Sequence, residues 1–261
     1  MKLFFGEFQA NYEKYHFPYQ VWLVKEKGDD VSKIYEAGFL PIRSLKDVYY
    51  LCRSVRVNLD KFGLSSENRR ILRKTENFSY ELTKLSQFDY KPGVQKVCKD
   101  WFNQKFGKGK ISAAAIRRIF TAGIFTHVFV WKLGNRTTGY AIVFINEDLL
   151  HYAHVFTDPN FSKSNLSVRM MLETVTWAKE NDKKYAYLGT CYTESALYKT
   201  EFSGVEFFNG FKWSQDLKEL KYLLGRKREG YLFQDKEFLG KFYGSRGLEG
   251  EIREMGEIRE I

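Results

Sequence analysis

Cysteine is scarce in this chain, with only Cys52, Cys98 and Cys191 among 261 residues. An odd, widely spaced set excludes a disulfide framework and a paired-cysteine metal site, and it fits a reducing compartment, so a cytoplasmic location is expected. No apolar run reaches the roughly 18 residues of a membrane span, and no membrane partner is expected. The opening MKLFFGEFQANYEKYHF is interrupted by polar residues too early for a secretory signal. Histidine is also rare. Three of the four, His127, His151 and His154, fall in strand-like runs far from Cys191, which argues against a cysteine–histidine nucleophile. His151 and His154 are three apart, so on a regular strand they face opposite sides and do not share a metal. No metal site is expected.

What the chain has is apolar residues (44%) with many aromatics (17%), enough to pack a core, and a net charge of +10. That charge is clustered. Seven Lys/Arg stand against two acids over 53–74, and seven against one over 96–118, so the remainder is close to neutral. Clustered positive charge suits a polyanion through phosphate contacts and counterion release; the ordinary alternative is a solvated basic surface.

FPYQVWLVKE (17–26) reads as a strand and SLKDVYYLC (44–52) as an amphipathic helix. VRVNLDKF (55–62) alternates like a half-buried strand. Ser65 or Ser66 is positioned to cap a helix running to about Thr75, with Glu67 in its first turn. Beyond the Pro-Gly pair at 92–93, helices are expected over 94–106 and around SAAAIRRIF, separated by the basic turn GKGK. THVFVWKL, TGYAIVFI and LLHYAHVF then read as an antiparallel meander. The run 166–181 has apolar residues at 168, 171, 172 and 175, spaced for a buried helix face. YAYLGT (185–190) and VEFFNGFKW (205–213) are strands and DLKELKYLL is a helix. Helices and strands around a mixed sheet give an α+β class. The end, with its EIRE repeat, lacks an apolar face and is expected to be disordered.

Two groups of residues invite chemistry. Arg69 and Arg73, and Arg70 and Lys74, are each four apart, so they form one basic stripe that Arg56 on the preceding strand could join. Arginine suits bidentate phosphate capture, although an exposed helix face explains the pattern equally well. The second group surrounds the strand-to-helix junction at 155–171. Acetyltransferases of the GNAT fold carry a glycine-rich loop there, whose N–H groups grip the pyrophosphate of coenzyme A. Here that loop is Asn160-Phe161-Ser162-Lys163-Ser164-Asn165, without glycine, and side chains would block so close an approach.

DPNFSKSNLS (158–167), a helix, YAYLG (185–189), YKTEF (198–202) and the Glu206–Trp213 spacing together resemble the C-terminal region of the aminoacyl-tRNA–protein transferases, the arginyl and leucyl transferases of the N-degron pathway. SVRVNLDKFGLSSENRRILRK (54–74) is similar to that family's upstream Arg-rich segment, in the family order. Val168 stands where the family has glycine, Leu197 where Arg or Asn often precedes Tyr-Lys, and the family's N-terminal cysteine cluster is absent. The resemblance implies tandem GNAT-like mixed sheets flanked by helices. One half would span 1–92, an acyltransferase domain 93–225, and an extension 226–261. It also implies transfer of an amino acid, of the arginine or leucine class, from aminoacyl-tRNA to the N-terminal amine of an acceptor protein or peptide. No cofactor is implied beyond the aminoacyl-tRNA co-substrate.

Aminolysis of an activated ester needs orientation, a proton acceptor for the incoming ammonium and a donor to the oxyanion. On the resemblance, Tyr187, Tyr192 and Tyr198 are expected to line the cleft, one of them serving as donor to the oxyanion or to the leaving ribose hydroxyl. The ordinary alternative for each is packing. Lys199 is a candidate to orient an acceptor carboxylate or to bind terminal tRNA phosphates. Asp158 is a candidate for an ammonium or the charged end of an aminoacyl group. Ser167 and Glu206 complete the substrate-binding set, and Arg56, Arg69, Arg70, Arg73 and Lys74 form the tRNA-binding set. Two other functions share these features: an acyl-CoA-dependent N-acetyltransferase, and a non-catalytic RNA-binding protein of the same fold.

Overall fold

The computed structural model describes residues 1–7, 13, 19–226, 232 and 235–244. The EIRE-repeat tail and His16 lie outside these residues. Chain order begins β1 (Lys2–Glu7), β2 (Tyr19–Val24), α1 (Val31–Glu36), β3 (Phe39–Pro41), β4 (Val48–Leu51), β5 (Ser54–Asn58), α2 (Ser66–Lys74) and β6 (Phe78–Lys84). It continues α3 (Pro92–Phe106), α4 (Ala113–Thr121), β7 (His127–Leu133), β8 (Arg136–Ile145), β9 (Leu149–Thr157), α5 (Leu166–Glu180) and β10 (Tyr185–Thr190). The last described elements are β11 (Val205–Phe208), β12 (Trp213–Ser214), α6 (Leu217–Gly225) and α7 (Lys236–Phe242).

The chain forms two compact units, one of residues 1–6 and 19–215 and the other of 7–18 and 216–261. In the second unit Asp235 caps α7 and pairs with Arg226 at 2.8 Å, while the Tyr222, Phe238 and Phe242 rings pack together. Every candidate site residue belongs to the first unit.

The main sheet of that first unit has eight strands in the order β12-β11-β5-β10-β9-β8-β7-β6. The expected meander is there: β7, β8 and β9 pair antiparallel in succession. β5 and β6, from the first 92 residues, pair into this same sheet on either side of the meander and β10. One face is covered by α5, whose buried residues include Leu166, Met170, Met171, Thr174, Val175 and Ala178. α2 packs beside it, where Arg169 donates to the Leu72 carbonyl at 2.8 Å. On the other face α3 and α4 bury Val94, Cys98, Ile116, Ile119 and Phe120 against Val128, Tyr140, Ile142 and Phe156. A four-stranded sheet, β1-β2-β4-β3, with α1 packs Leu23, Ile34, Tyr35 and Phe39 in a cluster with Leu149 and Tyr187. The class is α+β, with mixed sheets flanked by helices.

Several local expectations change. Residues 44–52 are not a helix: Asp47 adopts a left-handed φ of 60° and Val48–Leu51 is strand β4. A β-branched and aromatic run of this kind fits a pleated surface better than a helix. β5 is not half-buried, since Ser54, Val55, Arg56 and Val57 are all buried between two antiparallel neighbours. Val168 lies on the exposed side of α5, and the buried stripe starts instead at Leu166. The run 205–213 is a hairpin: Asn209-Gly210 turns the chain, with the Asn209 amide donating to the Lys212 carbonyl at 3.0 Å. The α2 helix follows its sequence closely. Ser65 and Asn68 form a reciprocal capping box, and Thr75 ends it.

Gly204 fixes how β11 enters the sheet. Its φ is +74°, its carbonyl accepts from the Asn58 amide at 2.8 Å, and a Cβ there would lie 2.6 Å from the Asn58 oxygen. Gly204→Ala is expected to destabilise the fold by more than about 1 kcal/mol. A urea-unfolding midpoint unchanged from that of the parent protein would show that this approach is not required.

Candidate active site

β9 and β10 pair parallel, whereas β9 joins β8 and β10 joins β5 in antiparallel fashion. The parallel pair holds for only three residues, Tyr185 with Leu149, Ala186 with Leu150 and Tyr187 with His151. Each strand carries a register irregularity where they part. In β9, Ile142 of β8 pairs with His154 and Val143 with Tyr152, so Ala153 is an extra residue. In β10, Arg56 pairs with Tyr187 and Val55 with Gly189, so Leu188 is extra, and Gly189 takes a φ of +84°. Such bulges bend a strand and re-aim its side chains. Here they accompany an open gap between the ends of β9 and β10.

Two cavities open beside this gap. One, of about 480 Å³, is lined by Trp22, Arg43, Tyr50, Phe125, His151 and His154 together with Leu188, Gly189, Thr190 and Lys199. The other, of about 430 Å³, is lined by Trp101, Gln104 and Lys105 of α3, by Tyr152, Val155 and Thr157 of β9, and by Ser162, Ser167, Met171 and Tyr198. Consecutive residues Tyr198 and Lys199, in a 3₁₀ segment over Glu194–Thr200, thus face different cavities. Among the described residues neither lining contains a carboxylate.

The bulge at Ala153 overturns one expectation from spacing. His151 and His154 line the same cavity rather than opposite faces. Tyr35 and His151 Nδ1 share a hydrogen bond at 3.0 Å. His154 stands edge-on to Phe125. Burial drives the pKa of His151 down to about 3 and that of His154 to about 4, so both are neutral in ordinary conditions. The described residues hold no group of three His, Cys, Asp or Glu placed to bind a metal.

Lys199 Nζ donates to the Thr190 carbonyl at 2.8 Å, and its amine lies beside Gly189, 3.5 Å from where a Cβ would be. Burial lowers its pKa to about 8, and the nearby Lys105 acts in the same direction. Tyr198 is 42% exposed, and burial of its remainder raises its pKa. Ser167, at the start of α5, is exposed at the second cavity. Lys199, Tyr198 and Ser167 are therefore brought together around the gap.

The other predicted residues are placed elsewhere. Tyr187 is 1% exposed and packs in the core against Tyr35 and Trp213; it lines neither cavity. Tyr192 is exposed, and its hydroxyl accepts from the Arg53 amide at 2.9 Å. Asp158 is buried with both oxygens engaged: Oδ1 accepts from the Asn160 amide and side chain, and Oδ2 pairs with Arg136 at 2.6 Å. That bond set closes the loop before α5. The amides of Phe161, Ser162 and Ser164 all donate to carbonyls within the same loop, so they point inward and form no anion cradle.

Arg56 departs most from expectation. It is 5% exposed, not part of a surface stripe, because the second face of β5 is covered. Nε and Nη2 both reach Glu206 Oε2 at 2.8 Å, and Nη1 donates to the Tyr187 hydroxyl at 3.3 Å. The guanidinium is sandwiched between the Tyr185 ring at 3.9 Å and the Trp213 ring at 3.8 Å. Glu206 Oε1 accepts from Gln215 at 3.0 Å. These two predicted site residues therefore satisfy each other and fix Tyr187. On α2, Arg69, Arg70, Arg73 and Lys74 are exposed as expected, with Arg70 held by Glu67 at 2.6 Å through Nε and Arg69 donating to the Leu64 carbonyl at 2.6 Å.

Local pattern does not single out Trp22, Arg43, Tyr50, Phe125, Trp101 or the two histidines as cavity walls. They come from separate strands, loops and a helix, and no spacing in the chain links them.

No family model matches the chain. Curated relatives do. An aspartate/glutamate leucyltransferase of Saccharophagus degradans is 24% identical over 62% of this chain and 70% of its own length. One of Ruegeria pomeroyi is 22% identical over 62% of this chain and 61% of its own. The chain is similar to aspartate/glutamate leucyltransferases over about 62% of its length. The resemblance to aminoacyl-tRNA–protein transferases is borne out at that level, and the relatives are enzymes. Similar solved structures include FemX, at 11% identity over 78% of this chain and 72% of that one with a TM-score of 0.46. The L-PGS of Bacillus licheniformis is similar at 14% identity over 64% and 51% with a TM-score of 0.41.

The geometry can be probed at two points. Arg56→Ala strands the Glu206 carboxylate in the core and is expected to cost about 3–5 kcal/mol, whereas Arg56→Met with Glu206→Leu recovers most of that stability. Equal urea stability of the single variant and the parent would show that the pair is not a structural anchor. The second point is Lys199, whose proton leaves near pH 8 in the folded chain against 10.5 as a free side chain. Between these values the unfolded chain binds more protons, so stability rises with pH across that window. Lys199→Met removes this rise; stability profiles of the two proteins running parallel from about pH 8 to 10 would refute the assignment.

Proposed function

We propose that this chain is an aminoacyl-tRNA-dependent transferase that adds an amino acid to the N-terminal amine of an acceptor protein, with leucine favoured over arginine. The observation that carries the reading is the gap at the parting of β9 and β10, with two cavities beside it, one lined by Lys199 and the other by Tyr198. Two substrates, one in each cavity, can meet at such a gap at bonding distance, and orientation supplies much of the acceleration for an already activated ester. The lack of a carboxylate in either lining leaves an arginine guanidinium without a counter-ion. An apolar side chain, by contrast, fits among Trp101, Tyr152, Val155 and Met171 of the second cavity.

The acceptor is read as a terminus beginning with Asp or Glu, as the relatives' names suggest. Arg43 supplies the positive charge for its side chain. In the reaction, the acceptor amine loses a proton and attacks the ester carbonyl carbon. The bond from that carbon to the ribose oxygen breaks, and the ribose oxygen takes up a proton. Lys199, poised near pH 8, is suited to accept the proton from the incoming ammonium and to donate to the oxyanion. The Tyr198 hydroxyl, in the second cavity, is suited to protonate the departing ribose oxygen. Coenzyme A is disfavoured because the loop lacks glycine and its Phe161, Ser162 and Ser164 amides are committed to loop carbonyls.

The test is incubation with leucyl-tRNA or arginyl-tRNA and peptides that begin with Asp, Glu or Lys, read by mass spectrometry. Leucyl extension of the Asp and Glu peptides is expected, with Lys199→Met slowing turnover on the order of 100-fold at unchanged tRNA affinity. Extension by arginine alone, or acetyl transfer from acetyl-CoA in its place, would overturn the reading.

A further inference from the structure

The sequence singles out the α2 stripe for RNA, but the structure distributes charge differently. Of the basic residues in 53–74, Arg56 is neutralised in the core by Glu206 and Arg70 is paired with Glu67. The other cluster, on the helical hairpin formed by α3, the turn 107–112 and α4, keeps its charge. Lys96 is paired there, with Asp100 at 2.6 Å. Lys99, Lys105, Lys108, Lys110, Arg117 and Arg118 are exposed, and none has an ion-pair partner among the described residues.

A second observation points the same way. The C-terminal end of α3 carries an aromatic platform: Phe106 is 51% exposed, packs against Phe102 with centroids 4.6 Å apart and lies 5.9 Å from Trp101. Lys105 lies over both Trp101 and Phe106, at 4.8 and 5.6 Å. Trp101, Gln104 and Lys105 are also a wall of the second cavity, which the exposed Tyr198 lines as well. A tract of uncompensated cations leading to the exposed Phe106 and the half-buried Trp101 at the mouth of a cleft has the chemistry of a surface for single-stranded nucleic acid, with phosphates on the cations and bases on the rings. Solubility alone explains scattered charge, but not an apolar ring such as Phe106 left exposed beside it.

We infer that the α3–α4 hairpin, rather than α2, is the surface that holds the RNA: its lysines and arginines take the backbone, and the Trp101–Phe106 platform leads the single-stranded 3′ end into the cavity beside Tyr198. This rests on the transferase reading for the meaning of the 3′ end, but not for the binding itself.

The probe is a short RNA hairpin with a single-stranded 3′ tail, compared with the same hairpin made blunt, each titrated against the full chain at several salt concentrations. Lys99→Glu with Lys108→Glu and Lys110→Glu is expected to weaken binding of both RNAs on the order of 100-fold, and to flatten the salt dependence by roughly 0.7–0.9 for each phosphate no longer neutralised. Arg69→Glu with Arg73→Glu is expected to change affinity by less than about threefold, the span of a purely non-local charge effect. Phe106→Ser is expected to weaken the tailed RNA about tenfold and leave the blunt one unchanged. Circular dichroism checks that these surface variants stay folded. A greater drop in affinity for the α2 variant than for the α3–α4 variant, or no RNA binding by the parent chain, overturns the inference. Aminoacyl transfer measured in parallel separates the two readings. Transfer that persists while the hairpin variant binds RNA normally sinks only the surface, and RNA bound through the hairpin without any transfer sinks only the enzyme.

Discussion

The architecture turns on the early parting of two parallel strands. Inside a sheet, each unpaired backbone group must find another partner or water, so an opening between central strands is costly unless the surroundings support it. Here the support is local and specific. An extra residue in β9 and another in β10 kink both strands where pairing ends, and the Lys199 ammonium takes up the Thr190 carbonyl at the end of β10. The same device that opens the sheet therefore draws a titratable amine into the opening.

The other side of β10 explains why that opening does not spread. β5 runs through the centre of the sheet with both faces covered, and Arg56 anchors it to β11 through Glu206 and to the β10 aromatics through stacking. A buried ion pair contributes little net stability compared with an apolar pair, but it is demanding about geometry. Register is what a strand beside a bulge needs most. Arg56 and Glu206 thus serve the site from behind it, holding Tyr187 in the core while Gly189 and Thr190 reach the cavity. Burial of His151 and His154 as neutral rings leaves the first cavity with one adjustable charge near neutral pH, that of Lys199.

Much of the frame was legible in the chain. The Ser65 cap, the three-strand meander, the α3 and α5 helices and the β10 strand each announce themselves through local pattern, because capping, alternation and helical spacing are properties of neighbouring residues. The glycine-free loop after Asp158 was legible too, but not that its Phe161, Ser162 and Ser164 amides donate to carbonyls of the loop itself. Local pattern misleads where a residue's surroundings come from distant segments. Val48–Leu51 looked helical without its partners β2 and β3. Arg56 looked like a surface cation because nothing in positions 54–62 announces that Trp213 and Tyr185 will close over it.

The sequence by itself determined the α+β class, the positions of most helices and strands, the clustering of positive charge and the kinship to aminoacyl transferases, all of which depend on composition and short-range order. Only the tertiary structure decided which of those charges remain exposed, that His151 and His154 share one wall, and that Tyr198 and Lys199 face different cavities while Tyr187 does not face either. The reason is physical: burial, ion pairing and the direction of a side chain after a bulge are set by neighbours far away in the chain, and no local pattern encodes them.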